Sequence, residues 1–318
     1  MKEKIRIAVC GYGNLGRGIE RNLGSFPDME CVGIFSRRKD IKSETGLNIY
    51  SFSDIMSFKD KIDVLLITLG SFGEALEISP RLAESFNTVD SFDDHVLAEK
   101  HLQNMDKAAL KGGKTALISC GWDPGIFSLM RLLGKAFIPH GQELTFWGKG
   151  VSQGHTQVLK KIPKVIDAKE YTIPNIELIK KAESGQMLSA SKEKLHRREC
   201  FVVLEDGADE DFVSEEIRNI PDYFKGFETD VHFIDEAEMQ EKHSLLSHEG
   251  RVFSFGKGES AEFHLKMDSN PDFTGRAMLT FARAVYMMKM GGEIGAKTIF
   301  DIRPKWLIME EANILKFL

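Results

Sequence analysis

The sequence lacks the features of a membrane-spanning or disulfide-rich protein. Its longest apolar stretches, such as Val64 to Leu69, are strand-sized and far shorter than the ~20 residues that cross a bilayer. No basic and apolar leader opens the chain, so we expect no secretory signal. Cysteine is scarce, and the spacing shows neither metal-ligand pairs nor a disulfide framework; the four are Cys10, Cys31, Cys120 and Cys200. We therefore expect buried thiols, no metal site and a reducing, cytoplasmic compartment.

An excess of positive charge is also lacking. The 42 Lys and Arg residues against 48 Asp and Glu give a net charge of -6, which argues against nucleic acid or an anionic membrane as the main partner. Hydrophobic residues make up 42% of the 318 positions and charged residues 28%, as in ordinary globular proteins. Composition and charge therefore do not indicate a specific function, which has to be derived from sequence motifs.

The most informative motif is a glycine-rich turn near the N-terminus. An apolar run, Ile5 to Val9, leads into Gly11-x-Gly13-x-x-Gly16, and a helical pattern with Leu15, Ile19 and Leu23 on one face follows. In a dinucleotide-binding strand–turn–helix, these glycines allow the tight turn, the approach of a pyrophosphate and close helix–strand packing. The free N–H groups at the helix start attract phosphate. We therefore predict a bound dinucleotide; an ordinary strand–helix turn is the alternative.

The end of the second predicted strand indicates which dinucleotide binds. The apolar run Cys31 to Phe35 ends in Ser36-Arg37-Arg38, where NAD enzymes usually carry an Asp or Glu that holds the ribose 2′-hydroxyl. A carboxylate would repel a 2′-phosphate, whereas paired guanidiniums would bind it. The sequence therefore predicts NADP, although two arginines can also be a solvated turn.

Alternating apolar strands and helices continue to about residue 121, which predicts a doubly wound, Rossmann-type parallel sheet. We expect strands at Val64 to Leu69, Thr88 to Asp90 and Thr115 to Ser119, with helices between them. Ligands of such sheets lie beyond the carboxyl ends of the strands. The residues that we expect to contact the cofactor there are Gly11, Tyr12, Gly13, Asn14, Leu15, Ser36, Arg37, Arg38, Gly70, Ser71, Phe72, Gly73, Ser91, Phe92, Asp93, Cys120, Gly121, Trp122, Asp123 and Pro124.

The pattern changes after Pro124, which we expect to open a helix with Asp123 as its N-cap. Ala261 to Met267 alternates apolar and polar residues, which is typical of an antiparallel strand with one buried face. We therefore predict a second, α+β domain with a mixed or antiparallel sheet. The boundaries are 1–121 for the first domain, 122–270 for the second and 271–318 for a C-terminal segment that returns to the first. The last helix should run from Thr274 as N-cap to Gly291 as C-cap.

Several further blocks occur in order and carry a family resemblance. They are Gly121-Trp122-Asp123-Pro124-Gly125, Phe146-Trp147-Gly148, Ser152-Gln153-Gly154-His155, Pro221-Asp222-Tyr223-Phe224 and Asn270-Pro271-Asp272-Phe273-Thr274. Together with the glycine turn and Phe35-Ser36-Arg37-Arg38, they resemble the meso-diaminopimelate dehydrogenases over nearly the whole chain. The resemblance implies NADP-dependent oxidative deamination at the D-centre of meso-2,6-diaminopimelate, and a homodimer formed through the second domain.

The resemblance also implies roles for particular residues. Asp93 and Asp123 match positions at the reacting end of the substrate, where they would grip the ammonium group and stabilise an iminium as catalytic carboxylates. Trp122 and Trp147 match pocket walls, and Gln153 and Gly154 match polar contacts near that end. At the far, L-configured end, the matching substrate-binding positions are Thr172, Arg198, His248 and Asn270.

Each of these assignments has a plainer alternative. Asp123 before Pro124 could serve only as a helix cap, and a tryptophan is more often part of a core. Arg197 adjoins Arg198, so the choice between them rests on alignment to Cys200. A lone His248 is more often a surface residue, and a short Ser254 to Ala261 loop leaves its position open.

Two other functions remain at this stage. One is a different two-domain NADP dehydrogenase, such as a semialdehyde or homoserine dehydrogenase, for which Cys120 would be the only candidate thiol near the crevice. The other is a non-catalytic NADP-sensing protein, which would keep Gly11 to Arg38 but need not keep polar residues for both ends of a zwitterion.

Overall fold

The structure is a computed structural model that describes residues 4–70, 74–256, 258–309 and 314–318. The chain divides into two compact units, one of Met1–Leu129 with Pro271–Leu318 and one of Met130–Asn270. The first boundary lies within the helix Ile126–Phe137, and the second lies at the start of the helix Asn270–Met290.

The first unit is built on a seven-stranded sheet in which every pairing is parallel. Its strands are β1 (Ile5–Cys10), β2 (Met29–Ser36), β3 (Ile49–Ser51), β4 (Val64–Ile67), β5 (Thr88–Asp90), β6 (Thr115–Leu117) and β14 (Gly295–Lys297). The order β14-β6-β5-β4-β1-β2-β3 reverses direction at β1, where a doubly wound sheet opens its ligand crevice. Strands β1 and β4 are almost fully buried, because helices cover both faces of the sheet.

The helices of this unit are α1 (Asn14–Asn22), α2 (Glu74–Ala83), α3 (Ala98–Gly112), the start of α4 (Ile126–Phe137) and α9 (Asn270–Met290). Helix α9 packs on α1 through a glycine contact. A Cβ on Gly18 would lie 2.3 Å from the Pro271 carbonyl oxygen, and one on Gly275 would lie 2.7 Å from the Ile19 nitrogen. The two backbones can therefore approach closely only because both positions lack side chains.

Helix starts are where the sequence-based expectations fail. Helix α9 begins at Asn270, so Thr274 is a buried residue of its first turns and the prediction that it is the N-cap is wrong. Helix α4 begins at Ile126, so Asp123 is not its N-cap and Pro124 does not open it. The segment before α4 is a local turn in which the Gly121 N–H donates to the Pro124 carbonyl oxygen at 2.9 Å. The start of α9 is tied to the Leu246 carbonyl oxygen by the Asn270 N–H, also at 2.9 Å.

The second unit contains two smaller sheets. A four-stranded sheet has the order β11-β10-β9-β8, and a three-stranded antiparallel sheet has the order β13-β12-β7. Their strands are β7 (Gln142–Trp147), β8 (Gly150–Val151), β9 (Val165–Pro174), β10 (His196–Leu204), β11 (Thr229–Phe233), β12 (His248–Gly256) and β13 (Glu259–Met267). The prediction of a parallel sheet followed by a mixed or antiparallel α+β unit is confirmed.

Short helices cover these sheets: α5 (Gln153–Leu159), α6 (Ile176–Glu183), α7 (Glu210–Asn219) and α8 (Glu236–Lys242). Strands β12 and β13 form a hairpin in which Ser254 pairs with Ala261, so the expected Ser254 to Ala261 loop is mostly strand. The alternation in β13 is only partly realised, since Met267 is buried, Phe263 and Leu265 are half-buried and Ala261 is exposed. Within the described ranges, no helix combines the length and hydrophobicity of a membrane span.

Candidate active site

A cleft of about 420 Å³ lies at the carboxyl edge of the first unit's sheet, and we call it the glycine cleft. Its walls are Gly11, Tyr12, Gly13, Phe35, Ser36, Arg37, Arg38, Phe52, Thr68, Leu69 and Gly70. The turn after β1, the end of β2 and the end of β4 therefore meet at one place. Seven of these residues were predicted as cofactor contacts, and Phe35, Phe52, Thr68 and Leu69 were not.

The glycines of the turn have separate structural roles. Gly11 has φ +107°, and a Cβ there would lie 2.7 Å from Thr68 Oγ1. A Cβ on Gly16 would lie 2.4 Å from the Gly11 carbonyl oxygen, whereas one on Gly13 would meet nothing within 4 Å. Gly11 and Gly16 thus close the turn, and Gly13 leaves space at the N-terminus of α1, where Asn14 and Leu15 begin the helix. A phosphate fits such an end because unpaired N–H groups face it.

Two arginines stand at the mouth of the glycine cleft. The Ser36 hydroxyl accepts a 3.1 Å hydrogen bond from the Arg38 backbone N–H, and Arg38 Nη2 donates to the Tyr12 carbonyl oxygen. Arg37 and Arg38 are exposed just after the end of β2. Residues 35–39, which span the end of β2 and the turn after it, include no Asp or Glu. This arrangement suits a 2′-phosphate and lacks the acidic group that would hold a free ribose 2′-hydroxyl.

A buried carboxylate supports this rim, and sequence reasoning missed it. Glu20 on α1 is 2% exposed and accepts hydrogen bonds from the Tyr12 hydroxyl, the Ser43 hydroxyl and the Thr45 backbone N–H. Burial alone would raise the pKa of Glu20, but these hydrogen bonds hold it at about 2. The segment after β2 is therefore tied to the glycine turn through an ionised side chain. The sequence did contain one indication of this buried carboxylate, because Glu20 directly follows Ile19 of the predicted apolar face of α1.

The loops after β5 and β6 are held together by Asp90. Its Oδ1 accepts from the backbone N–H groups of Phe92, at 3.1 Å, and Ser119, at 2.9 Å. The first loop carries Ser91, Phe92 and Asp93, and the second carries Cys120, Gly121, Trp122, Asp123 and Pro124. Asp93 is exposed and Asp123 is half-buried, while Trp122 is 7% exposed and packs edge-on against Phe127. Ser71, Phe72 and Gly73 lie outside the described residues.

Cys120 does not have the environment of a nucleophile. It is fully buried, its thiol donates to the Ile118 carbonyl oxygen at 3.2 Å, and burial raises its pKa well above the usual range. A reactive cysteine needs an exposed, electropositive site that favours the thiolate. The structure therefore gives no support to chemistry through a thiohemiacetal.

In the second unit, Arg198 and Thr172 meet because they are opposite each other on β10 and β9. Arg198 Nη1 donates to Thr172 Oγ1 at 2.6 Å, and the guanidinium lies 4.4 Å above the ring of Phe227. Glu170, two residues from Thr172 on the same strand face, places Oε1 3.4 Å from the same Nη1. We call Glu170, Thr172, Arg198 and Phe227 the Arg198 cluster. Arg197 points the other way and pairs with Asp230 at 2.9 Å on the surface.

Neutral imidazoles surround this cluster. His196 Nε2 accepts a 2.8 Å hydrogen bond from the Trp147 backbone N–H, so that nitrogen carries no proton. Burial and the nearby Arg198 charge lower the pKa of His196 to about 3. His155, whose Nδ1 lies 2.6 Å from the Ser152 hydroxyl, has its pKa lowered by the same two causes. Ser152 caps α5, whose first residues are Gln153 and Gly154.

His248 reaches the same region through a glycine. Gly150 pairs with Thr172, and a Cβ on Gly150 would lie 2.5 Å from the His248 Cα. His248 is 5% exposed at the start of β12, so it is not a surface residue. The Asn270 backbone N–H donates to the Leu246 carbonyl oxygen at 2.9 Å. Strand pairing therefore links Arg198, Thr172 and Gly150, and close packing adds His248.

Comparison with known proteins identifies the family. Residues 121–269 match the model of the diaminopimelic acid dehydrogenase C-terminal domain. The chain is 45% identical to the meso-diaminopimelate D-dehydrogenase of Acetivibrio thermocellus over 99% of this chain and 97% of that protein. The enzyme of the same description from Corynebacterium glutamicum is 40% identical over 98% of both chains. The protein belongs to the meso-diaminopimelate D-dehydrogenase family.

Solved structures agree with this membership. A Corynebacterium glutamicum DAP dehydrogenase in complex with DAP superposes with a TM-score of 0.93, at 40% identity and 96% coverage of both chains. An engineered D-amino acid dehydrogenase bound to NADP+ gives 0.91, at 37% identity, covering 99% of this chain and 98% of that one. The family and fold predicted from the sequence are confirmed.

Proposed function

We infer that the protein is an NADP-dependent meso-diaminopimelate D-dehydrogenase. The reaction is the reversible oxidative deamination of meso-2,6-diaminopimelate at its D-centre, in which NADP+ and water give L-2-amino-6-oxopimelate, ammonia, NADPH and a proton. The amino-oxo acid cyclises to tetrahydrodipicolinate, and in reverse the enzyme supplies diaminopimelate for lysine and cell-wall synthesis. Family membership over nearly the whole chain supports this function.

The structural observation that carries the proposal is the Arg198 cluster. Arg198 is 7% exposed, and its Nε has no hydrogen-bond partner within the described residues. An orphaned, buried guanidinium N–H is costly unless a ligand completes it. A carboxylate is the planar acceptor that guanidinium binds best. We assign Thr172, Arg198, His248 and Asn270 to the L-configured end of the substrate.

We assign the reacting end to carboxylates at the edge of the parallel sheet. Asp93 and Asp123 follow the strands whose loops Asp90 joins, where they would hold the D-centre ammonium and orient its C–H bond. Bound NADP+ supplies the hydride acceptor. The nearby carboxylates then stabilise the positive charge that develops on the substrate nitrogen. Trp122 and Trp147 would wall the aliphatic chain, with Gln153 and Gly154 offering polar contacts.

NADP is the cofactor that the glycine cleft fits. Arg37 and Arg38 would bind the 2′-phosphate, and the open space at Gly13 would admit the pyrophosphate. The remaining cofactor assignments are Gly11, Tyr12, Asn14, Leu15, Ser36, Gly70, Ser71, Phe72, Gly73, Ser91, Phe92, Asp93, Cys120, Gly121, Trp122, Asp123 and Pro124.

We further propose a cytoplasmic homodimer that assembles through the second unit. The partly exposed apolar face of β13, with Phe263 and Leu265 half-buried, supports a partner there. Light scattering during size-exclusion chromatography tests the dimer. A monomer at micromolar concentration would contradict it.

The decisive experiment for the activity is an assay of NADPH formation with the meso, LL and DD isomers of diaminopimelate. We expect turnover with the meso isomer and none with the LL isomer, which has no D-centre. An NADP-sensing protein would bind NADP without turning over any isomer, and that outcome would overturn the proposed function.

A further inference from the structure

Glu170 is a buried carboxylate for which the reaction has no evident use. It is 0% exposed on β9, where it pairs with Cys200 of β10, and its same-face neighbour Thr172 pairs with Arg198. Thr172 Oγ1 lies 3.1 Å from Glu170 Oε1 and 3.3 Å from Oε2, and the same hydroxyl accepts from Arg198 Nη1. Glu170 therefore reaches Arg198 both directly and through Thr172.

The charges in the Arg198 cluster balance only before substrate binds. One guanidinium faces one carboxylate, and the salt bridge of 3.4 Å is long for a charge-assisted bond. The distal carboxylate of the substrate would add a second anion to the same cation. Two ionised carboxylates beside one buried guanidinium leave an uncompensated negative charge, which is costly away from water.

We propose that Glu170 is the counter-ion that Arg198 exchanges for the distal carboxylate of the substrate, and that Glu170 takes up one proton from solvent as the substrate binds. The proton adds to the Glu170 carboxylate, which becomes a neutral acid able to donate to Thr172 Oγ1. No bond in the substrate changes in this step. Glu170 is thus a positioning residue, because it acts on the substrate through Arg198 and Thr172. The inference rests on the proposed function, since it needs a dicarboxylate with a distal carboxyl group.

The other groups near Glu170 leave it as a suitable proton acceptor. Burial raises the pKa of Glu170 to about 7, although Arg198 and the Thr172 hydroxyl oppose that shift. The Cys200 thiol, opposite on β10, stays protonated because burial raises its pKa. From α5, Thr156 contributes a hydroxyl that accepts from the Glu170 backbone N–H at 3.1 Å, and the pKa of His155 is lowered. His155 and His196 both feel the charges of Arg198, Lys192 and His248, and Arg218 and Asp230 act on Cys200.

The test is calorimetric titration of NADPH-saturated enzyme with meso-diaminopimelate. NADPH and diaminopimelate stand on opposite sides of the reaction, so no turnover accompanies binding. Comparing buffers of different ionisation enthalpy gives the number of protons taken up per site. At pH 8 we expect the wild type to take up nearly one proton, and its affinity to be about tenfold lower than at pH 6 by linkage.

Glu170→Gln imitates the protonated state. We expect this variant to take up nearly one proton fewer than the wild type at pH 8, and to bind the substrate as tightly at pH 8 as at pH 6. Glu199→Gln is the matched control, because Glu199 lies on the opposite face of β10 and its removal should leave proton uptake unchanged. Titration of the substrate's own amines affects all three proteins equally.

Equal proton uptake by the wild type and Glu170→Gln would overturn the proposal, as would a loss of affinity in Glu170→Gln at both pH values. The second result would make Glu170 a structural support for Arg198. If Glu170→Gln does not fold, the wild type decides alone, since absence of proton uptake at pH 8 contradicts the exchange. Normal turnover without proton uptake would refute only this inference, whereas absence of both binding and turnover would refute the proposed function.

Discussion

Asp90 Oδ2 and His101 Nε2 are joined by a 2.7 Å hydrogen bond in the interior of the first unit. His101 is 0% exposed, stacks on the ring of Phe92 at 4.1 Å, and has an Nδ1 without a partner in the described part of the chain. The other oxygen of Asp90 holds the loops that carry Asp93 and Asp123. The Asp90–His101 pair therefore holds the backbone of the two loops that carry the candidate catalytic carboxylates Asp93 and Asp123.

The first prediction is that Asp90→Asn lowers both stability and kcat. Three donors face the Asp90 carboxylate, so an amide NH₂ in its place opposes at least one of them. The free energy of unfolding should fall by about 1–3 kcal/mol, which urea denaturation measures. Asp94→Asn is the control, because Asn retains the oxygen that accepts from Val96 and Leu97. Wild-type stability in Asp90→Asn would contradict the assignment.

The second prediction concerns the cofactor. Replacing Arg37 and Arg38 by Ala should raise the KM for NADP far more than that for NAD, because only NADP carries the 2′-phosphate. Each lost charged contact should cost about 1.5–3 kcal/mol, or roughly one to two decades in KM. Lys39→Ala is the matched control, since Lys39 is exposed but does not line the glycine cleft. Equal use of NADP and NAD by the wild type would contradict this prediction.

The third prediction is acid sensitivity through Glu20. The pKa of Glu20 in the folded protein is about 2, below the ordinary value of 4.5. Between these two pH values, the folded state therefore binds fewer protons than the unfolded state. The stabilisation from Glu20 is present above about pH 4.5 and is lost as the pH falls toward 2. Glu20→Gln should therefore lower the free energy of unfolding by about 1.5–3 kcal/mol at pH 7 and by much less near pH 2.

Urea titrations of the wild type and Glu20→Gln at several pH values measure this difference. Glu30→Gln serves as a control, since Glu30 is an exposed glutamate on β2. A constant difference between wild type and Glu20→Gln from pH 7 to pH 2 would show that the contribution is steric and not ionic.

The fourth prediction tests the packing beneath His248. Gly150→Ala would place a Cβ 2.5 Å from the His248 Cα and 2.7 Å from the Ser247 carbonyl oxygen, so backbone must move. We expect a loss of about 1–3 kcal/mol in the free energy of unfolding. Gly154→Ala is the matched control for stability, because its Cβ would meet nothing within 4 Å and it lies in a helix. Equal melting temperatures for the two variants would contradict this account.

The fifth prediction separates the two ends of the substrate. Arg198→Ala should raise the KM for diaminopimelate by roughly one to two decades while kcat falls less, because the distal contact is the same in ground and transition states. Asp123→Asn should mainly lower kcat, because the iminium charge develops at that end. Steady-state kinetics at saturating NADP measure both.

Two further variants keep that comparison clean. Arg197→Ala should leave both constants unchanged, since Arg197 pairs with Asp230 on the surface. Arg198→Ala combined with Glu170→Gln removes the buried carboxylate that the single substitution would leave uncompensated. Full kcat in Asp123→Asn, or unchanged KM in Arg198→Ala, would show that the two-ended assignment is wrong.

Local patterns were sufficient for the first unit's architecture. The run Ile5 to Val9 and the glycine turn predict β1, its turn and α1, because the cofactor motif is contiguous and each glycine answers a backbone requirement within a few residues. The Ser36-Arg37-Arg38 rim follows from position alone, since it ends the neighbouring strand. Helix starts at Ile126 and Asn270 did not follow, because the residue pattern shows neither the local turn between Gly121 and Pro124 nor the hydrogen bond between Asn270 and Leu246.

The Arg198 cluster shows the limit of the sequence. Only the antiparallel register of β9 and β10 places Thr172 against Arg198, and only burial distinguishes Arg198 from Arg197. Glu170 shares a strand face with Thr172 by alternation, yet its charge becomes significant only when Arg198 stands across from it.

The sequence by itself therefore determined the family, the doubly wound sheet and the choice of NADP, because each depends on residues that are neighbours in the chain. The tertiary structure decided which ionisable groups are buried together. The strand register brings Glu170, Thr172 and Arg198 within hydrogen-bonding range. His248 can pack against the neighbouring strand because Gly150 has no side chain. Electrostatic coupling depends on distance and on exclusion of water, and the linear chain specifies neither.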